Sequence, residues 1–220
     1  MGAISLRRRR EPTLDVDVFE AKLDDDFLMS SLFTVAEVEL ARLGLAAVAG
    51  DRLDVLVGGL GLGYTAVTVL DEERVASLVV VEALPEVVGW HERGLLPTSD
   101  RLTSDPRCRL ATEDFFATVG SGSVLPGTTD FDALLVDIDH SPRHVLHPSH
   151  AAFYTVEGLA ATRERLRRGG VLALWSDDPP DEDLLGSLES VFGTARGHVV
   201  EFDNFLTGGT SANTVYVATT

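Results

Sequence analysis

A strand that runs straight into a glycine-rich turn constrains this chain more than any other feature: Asp54-Val-Leu-Val-Gly-Gly-Leu-Gly-Leu-Gly-Tyr-Thr-Ala-Val67. The apolar residues before Gly58 read as a buried strand, and those after Gly63 as the start of a helix. Between them Gly58, Gly59, Gly61 and Gly63 carry no Cβ, so the backbone can turn sharply and leave room for a ligand against it. The pattern predicts a nucleotide-like ligand at the turn. Further on, Ser77-Leu-Val-Val-Val-Glu82 is a second apolar run that ends in an acid, where an open parallel sheet offers an acceptor to a ribose hydroxyl. The bland alternative is a tight structural turn before a helix. The pairing of the turn with Glu82 favours a nucleoside cofactor.

Composition narrows the partners. At 220 residues the chain has room for one well-filled core and a small extension. Its apolar fraction of 45% and charged fraction of 24% are those of a globular protein, and no apolar run is long enough to cross a bilayer, so no membrane partner is expected. The residues after Arg7 to Arg10 alternate with Asp15, Asp17 and Glu20, which leaves no apolar stretch for a signal peptide. The single Cys108 fits a reducing compartment, and a cytoplasmic location is expected. A net charge of −17 repels phosphates, so nucleic acid is not expected as a partner outside the short arginine run. The same charge attracts cationic substrates such as polyamines.

Along the chain, residues 1–11 read as a disordered basic tail and residues 12–50 as a small β element followed by a helix. Leu14, Val16 and Val18 alternate with Asp15 and Asp17, and Asp24-Asp25-Asp26 supplies a turn. Thr34-Val-Ala-Glu37 reads as a capping box, with Val35, Val38, Ala41, Leu45 and Val48 at helical spacing behind it. From 51 to 220 strands and helices alternate. Strands are expected at 53–57, 77–82, 107–111, 131–137 and 170–175, and helices at 64–71, 84–93, 151–168 and 181–192, with a loop over 120–129. The two last strand patterns, His198 to Phe202 and Thr214 to Ala218, are too close for a crossover helix and should form an antiparallel hairpin. The fold class expected is therefore α/β, a mostly parallel seven-stranded sheet with an antiparallel C-terminal hairpin and a short N-terminal β/helix extension.

Taken together, the crossover-linked strands, the terminal hairpin, the glycine turn, Glu82 and Asp114 resemble the Rossmann-like class I S-adenosylmethionine-dependent methyltransferase fold over about residues 50–220. The resemblance implies a cofactor, S-adenosylmethionine or its decarboxylated form, held by Gly59, Gly61 and Gly63, by Glu82 at the ribose, and by Asp114, within Thr112-Glu-Asp-Phe-Phe116, at the adenine. Glu113 is an adjacent alternative for the last role, and a helix N-cap is an equal alternative for Asp114. Within that fold the chain is similar to the spermidine synthases, the polyamine aminopropyltransferases. The residues that carry this are Phe131-Asp-Ala-Leu-Leu-Val-Asp-Ile-Asp-His-Ser-Pro142, Phe153-Tyr154 and Leu166-Arg-Arg-Gly-Gly-Val-Leu-Ala-Leu174. Asp137 matches the synthases' acid at the end of the fourth strand. Asp139 stands one residue too early for their second acid, Ile-Asp-His-Ser-Pro replaces their Ser-Ser-Asp-Pro run, and their longer N-terminal β-domain has no full counterpart here. The implied activity is aminopropyl transfer to a small amine or polyamine. The alternatives are a small-molecule methyltransferase and a non-catalytic nucleoside-binding protein, and a homodimer is left open.

The chemistry gives Asp137 and Asp139 an independent reason to be catalytic candidates. A sulfonium cofactor already contains its leaving group, so the protein must align a nucleophile and keep it unprotonated. A carboxylate beside an ammonium can hold the cation and accept its proton. Tyr64, directly after the last glycine of the turn, and His140 are candidates for substrate contact. His140, His144, His147 and His150 place four of the six histidines in one loop, yet no cysteine joins them and no metal is expected. Trp175-Ser-Asp-Asp-Pro-Pro180 reads first as a loop leading to a helix and secondarily as a wall of the pocket.

Overall fold

A computed structural model describes residues 3–24, 26–120 and 130–220. The arginine run is a strand rather than a tail: β1 (Ile4–Glu11) pairs antiparallel with β2 (Val16–Leu23), which pairs with β3 (Asp26–Ser30). The reason lies in the partners. Arg8 meets Asp17 at 2.5 Å, Arg9 meets Glu20 at 2.8 Å and Glu11 at 2.7 Å, and Arg10 meets Asp15 at 2.6 Å, so the acids that break the signal-peptide pattern are the counterions of the run. Ahead of the arginines in β1, Ile4 and Leu6 pack against the core, supplying an apolar face. The expected turn at Asp24 to Asp26 is described only at its ends, Asp25 lying outside the described residues, as do residues 121–129 of the expected loop.

The main sheet follows the alternation. After α1 (Val35–Ala46) come β4 (Leu53–Gly58), α2 (Tyr64–Asp71), β5 (Val75–Glu82), α3 (Pro85–Glu92), α4 (Ser99–Ser104), β6 (Cys108–Thr112), α5 (Phe115–Gly120) and β7 (Phe131–Val136). A 3₁₀ turn (Pro148–Tyr154), α6 (Val156–Arg163), β8 (Leu166–Ser176), α7 (Glu182–Phe192), β9 (Thr194–Asn204) and β10 (Gly209–Thr219) complete the chain. The seven strands lie in the order β6-β5-β4-β7-β8-β10-β9. The first five are parallel, and β10 pairs antiparallel with both β8 and β9. β4 is thus central, with β5 and β7 diverging on either side of it, the place where open parallel sheets open a ligand crevice at their carboxyl ends.

Alternation along the strands divides the core in two. Val55, Val57, Ala133 and Leu135 face α1 and α2, together with Leu40, Leu45 and Val69. Leu56, Leu134, Leu172 and Leu174 face the other way onto Phe153, Leu159 and Leu188. Each fully buried leucine contributes roughly 1.5–3 kcal/mol of transfer free energy, so both faces hold the sheet. The expected helix at 151–168 is split. Thr155 adopts an extended backbone and its hydroxyl caps Gly158 N at 3.1 Å, so a new helix starts there, and Leu166 is already paired with Phe131 in the sheet. The capping box at Thr34 does not form, since its side chain makes no cap hydrogen bond. No helix among the described residues is long and apolar enough to cross a membrane.

Candidate active site

The glycine turn between β4 and α2 is pinned from all sides. Gly59 N donates to Val81 O at 2.9 Å and Leu60 N to a carboxylate oxygen of Glu82 at 3.0 Å. His91 of α3 donates from Nε2 to Gly61 O at 2.9 Å, and Thr98 donates to Leu62 O at 2.6 Å. Burial lowers the His91 pKa, which keeps the imidazole neutral in that role. Gly59, with φ of 92°, has no room for a side chain because a Cβ would run into the backbone carbonyl of Asp137. Gly61, with φ of 46°, would place a Cβ 2.6 Å from the Met29 sulfur. The glycines therefore serve two ends: they allow left-handed backbone, and they let β7 and the N-terminal sheet close on the turn.

Two cavities meet at this turn, sharing Gly61, Met29, Asp137 and Ile138 among their walls. The smaller, about 150 Å³, is mainly apolar and holds Gly59, Glu82, Asp114, Phe115 and Phe116 at the carboxyl ends of β4, β5 and β6. Glu82 is fixed by two backbone amides, Leu60 N on one oxygen and Leu84 N at 2.9 Å on the other. Asp114 lines the cavity, and its Oδ1 accepts from Ala117 N at 3.1 Å at the start of α5, the capping bond of its second reading. The residues fit a nucleoside: a carboxylate held with its lone pairs forward for vicinal hydroxyls, and apolar and aromatic walls for a flat base.

The larger cavity, about 460 Å³, lies on the other side of Gly61 and is bounded by Gly63, Tyr64, Asp137, His140, Trp175 and Asn213, among others. Asp137 stands directly after β7, where its backbone N donates to Gly58 O at 2.8 Å and its Oδ2 accepts from the Thr65 hydroxyl at 2.7 Å. Burial raises its pKa to about 6, against the lowering effect of Thr65. Tyr64 and His140 are in the same wall. Burial raises the Tyr64 pKa, with the hydroxyl hydrogen-bonded to Ser31 and Glu37 nearby.

Asp139, the second catalytic candidate, is turned elsewhere. It lines neither cavity and is 1% exposed, and its carboxylate accepts from Leu146 N at 2.8 Å, His150 Nδ1 at 2.8 Å and the Tyr154 hydroxyl at 3.1 Å. Those three bonds tie the carboxylate to the histidine loop and to Tyr154, away from both cavities. His150 in turn stacks on Phe116 at 4.1 Å between ring centroids, while His144 contacts Asp178 at 3.2 Å. The histidines are spread among separate partners, and no cluster of three metal-ligating side chains occurs among the described residues.

Sequence reasoning missed Glu37, Met29 and Asn213 as wall residues of the larger cavity, whereas Trp175 and Asp177 belong to the run it read secondarily as a wall. Glu37 reads in the sequence as the capping-box partner of Thr34, and in the folded chain Thr34 makes no side-chain cap hydrogen bond. Asp177 accepts from Asn213 Nδ2 at 2.7 Å and joins Glu37 and Asp137 in the cavity wall, while none of the described lining residues is Lys or Arg.

No protein-family model matches the chain. The chain is 30% identical over 163 residues to polyamine aminopropyltransferase 2 of Pseudomonas aeruginosa, a match that takes in 70% of this chain and 43% of the relative's length. A spermidine synthase in complex with the transition-state analogue AdoDATO superposes with a TM-score of 0.73 at 19% identity, over 97% of this chain and 68% of that one. Human methyltransferase-like protein 13 in complex with SAH superposes with a TM-score of 0.63 at 18% identity, over 83% of this chain and 81% of that one. The chain is thus a homologue of a curated polyamine aminopropyltransferase and has the class I methyltransferase-like fold that spermidine synthases share.

Proposed function

We propose that the protein transfers an aminopropyl group from decarboxylated S-adenosylmethionine to a small amine or polyamine. The observation that carries this reading is the larger cavity, which adjoins the glycine turn, is walled by Glu37, Asp137 and Asp177, and includes no Lys or Arg among its described lining residues. A cationic acceptor and a cofactor tail bearing only an ammonium are both favoured there, whereas the carboxylate of intact S-adenosylmethionine would meet like charge with no cation to balance it. The 30% identical aminopropyltransferase supports the same class, and the spermidine synthase and methyltransferase-like structures carry S-adenosylmethionine-related ligands in their complexes.

In this reading Glu82 accepts hydrogen bonds from the ribose, Phe115 and Phe116 shape the base site, and Asp114 faces the adenine amine. The bound cofactor supplies an activated carbon on its sulfonium, so that the acceptor nitrogen forms a C–N bond as the C–S bond breaks with its electron pair going to sulfur, releasing methylthioadenosine. Asp137 does the proton work: an amine near neutral pH is an ammonium with no free lone pair, and the Asp137 carboxylate takes up its proton directly or through water. The Thr65 hydroxyl fixes the orientation of that carboxylate. Tyr64 and His140 bound the acceptor's path.

Incubation with decarboxylated cofactor and putrescine, followed by mass spectrometry, tests the proposal. The expected outcome is the aminopropylated diamine and methylthioadenosine in equal amounts. Consumption of intact S-adenosylmethionine with a methylated product would replace it with the methyltransferase reading.

A further inference from the structure

The larger cavity contains two acids that the transfer reaction as described does not use, Glu37 and Asp177, and of these Glu37 is the one beside Asp137. Glu37 stands in the first turn of α1, the helix that precedes the glycine turn and packs on β7 and β8, and it lines the larger cavity. Glu37 and Asp137 both line this one cavity, and Thr65 lies between their elements: its hydroxyl donates to Asp137 Oδ2 at 2.7 Å and is 3.4 Å from the backbone carbonyl oxygen of Glu37. We infer that Glu37 is the partner of Asp137 in binding the acceptor amine, and that entry of a cation drives a proton out of the pair. The inference rests on the amine-acceptor reading above and extends it to a residue and to a proton count.

The physical argument is that of two carboxylates in one poorly hydrated wall. Both cannot be charged side by side without a counterion, so one retains a proton until a cation arrives to balance the second charge. Burial is the main cause of the raised Glu37 pKa, and the charge of Asp137 adds to it, which takes Glu37 to about 8. The other titratable groups in the same wall are Tyr64, His140 and Asp177, and the described lining includes no Lys or Arg that would neutralise the pair from within the protein. An ammonium placed between the two acids supplies the missing charge. One nitrogen is then held by both carboxylates, and Asp137 is left ionised and able to take the proton that the attacking nitrogen must lose.

Calorimetric titration of putrescine into the protein saturated with methylthioadenosine, at pH 7 in two buffers of different ionisation enthalpy, counts the protons. The expected result is release of about one proton per diamine bound, loss of that release in Glu37→Gln with affinity down by about tenfold or more, and wild-type behaviour in Glu39→Gln, which alters a solvent-facing acid paired with Arg42 on the same helix. Glu37→Asp, which restores a carboxylate, should recover part of the proton release. Diamine binding with no proton exchange, or Glu37→Gln binding and releasing as wild type does while product still forms, would overturn the inference and leave the transfer reading standing. Absence of any diamine binding and any product in the wild type would overturn both.

Discussion

The cavity beside Glu82 is built largely from residues at the carboxyl ends of neighbouring strands, with the N-terminal sheet as its outer wall, whereas the cavity beside Glu37 gathers residues from β3, α1, the end of β8 and the β9–β10 hairpin. The two share Gly61 and Asp137, and each is lined by three acids with no Lys or Arg among the described lining residues, yet they differ in polarity and in origin. In the first, the carboxylate of Glu82 is fixed by two backbone amides and meets mainly apolar and aromatic walls, which is what a nucleoside needs. In the second, acids from three separate elements converge without a basic side chain among the described lining residues, which is what a cationic substrate needs. The contrast teaches that the conserved logic of a fold's ligand crevice and the specificity of its second substrate are carried by different parts of one chain. A strand end dictates its neighbour's position through the sheet register, while the acceptor wall depends on how remote elements pack.

That contrast can be broken by substitutions on either side. The largest effect is expected from Asp137→Asn, where an amide keeps the shape but cannot take a proton: turnover should fall by roughly 10²–10⁴-fold with methylthioadenosine affinity nearly unchanged. Steady-state kinetics beside a binding titration separates the two, and an equal loss of both would place Asp137 on the nucleoside side. Next in size, Glu82→Ala should weaken methylthioadenosine binding by about 1–3 kcal/mol through lost charge-assisted hydrogen bonds. Unchanged affinity by calorimetry would remove Glu82 from the site.

A smaller, pH-dependent effect is expected at Glu37. Its folded-state pKa is raised from 4.5 to about 8, so between those values the native state binds more protons than the unfolded chain and stability falls as pH rises through the window. Glu37→Gln, which carries no charge to bury, should therefore melt several degrees above the wild type at pH 8, with the gap closing toward pH 5. Parallel melting curves across that range would show that Glu37 is not buried beside the Asp137 charge. The smallest change is expected at the junction itself: Gly61→Ala pays for left-handed backbone by about 1–2 kcal/mol, but the clash is with the flexible end of Met29, which can move. Chemical denaturation should find the variant folded, and a far larger loss would mean that Met29 is locked in place.

The fold was largely legible because its signals are local. The strand into Gly58, the acid after β5, the alternation of strands with helices and the short connection before β10 each follow from residues close together in sequence. What escaped depended on distant partners. Arg7 to Arg10 look like a tail until Asp15, Asp17 and Glu20 are seen as the acids that pair three of the four arginines, and Phe153 looks continuous with the helix that follows until Thr155 is seen to cap a new one. At the site, Glu82, Asp137 and the glycines could be named from spacing, since strand ends in a parallel sheet converge whatever else the chain does. Asp139 differed from Asp137 in sequence only by standing one residue early for its motif, and only the folded loop reveals that Leu146, His150 and Tyr154 occupy its carboxylate. Glu37 was hidden by a local motif that the folded chain does not use.

The central claim is that the acid-walled cavity selects a cofactor tail bearing an ammonium and no carboxylate. Calorimetric titration of the wild-type protein with decarboxylated and with intact S-adenosylmethionine, in the same buffer at pH 7.5, tests it most directly. The account predicts that the decarboxylated form binds at least about tenfold more tightly, a difference of roughly 1.4 kcal/mol. Equal affinity, or tighter binding of the intact form, would contradict it.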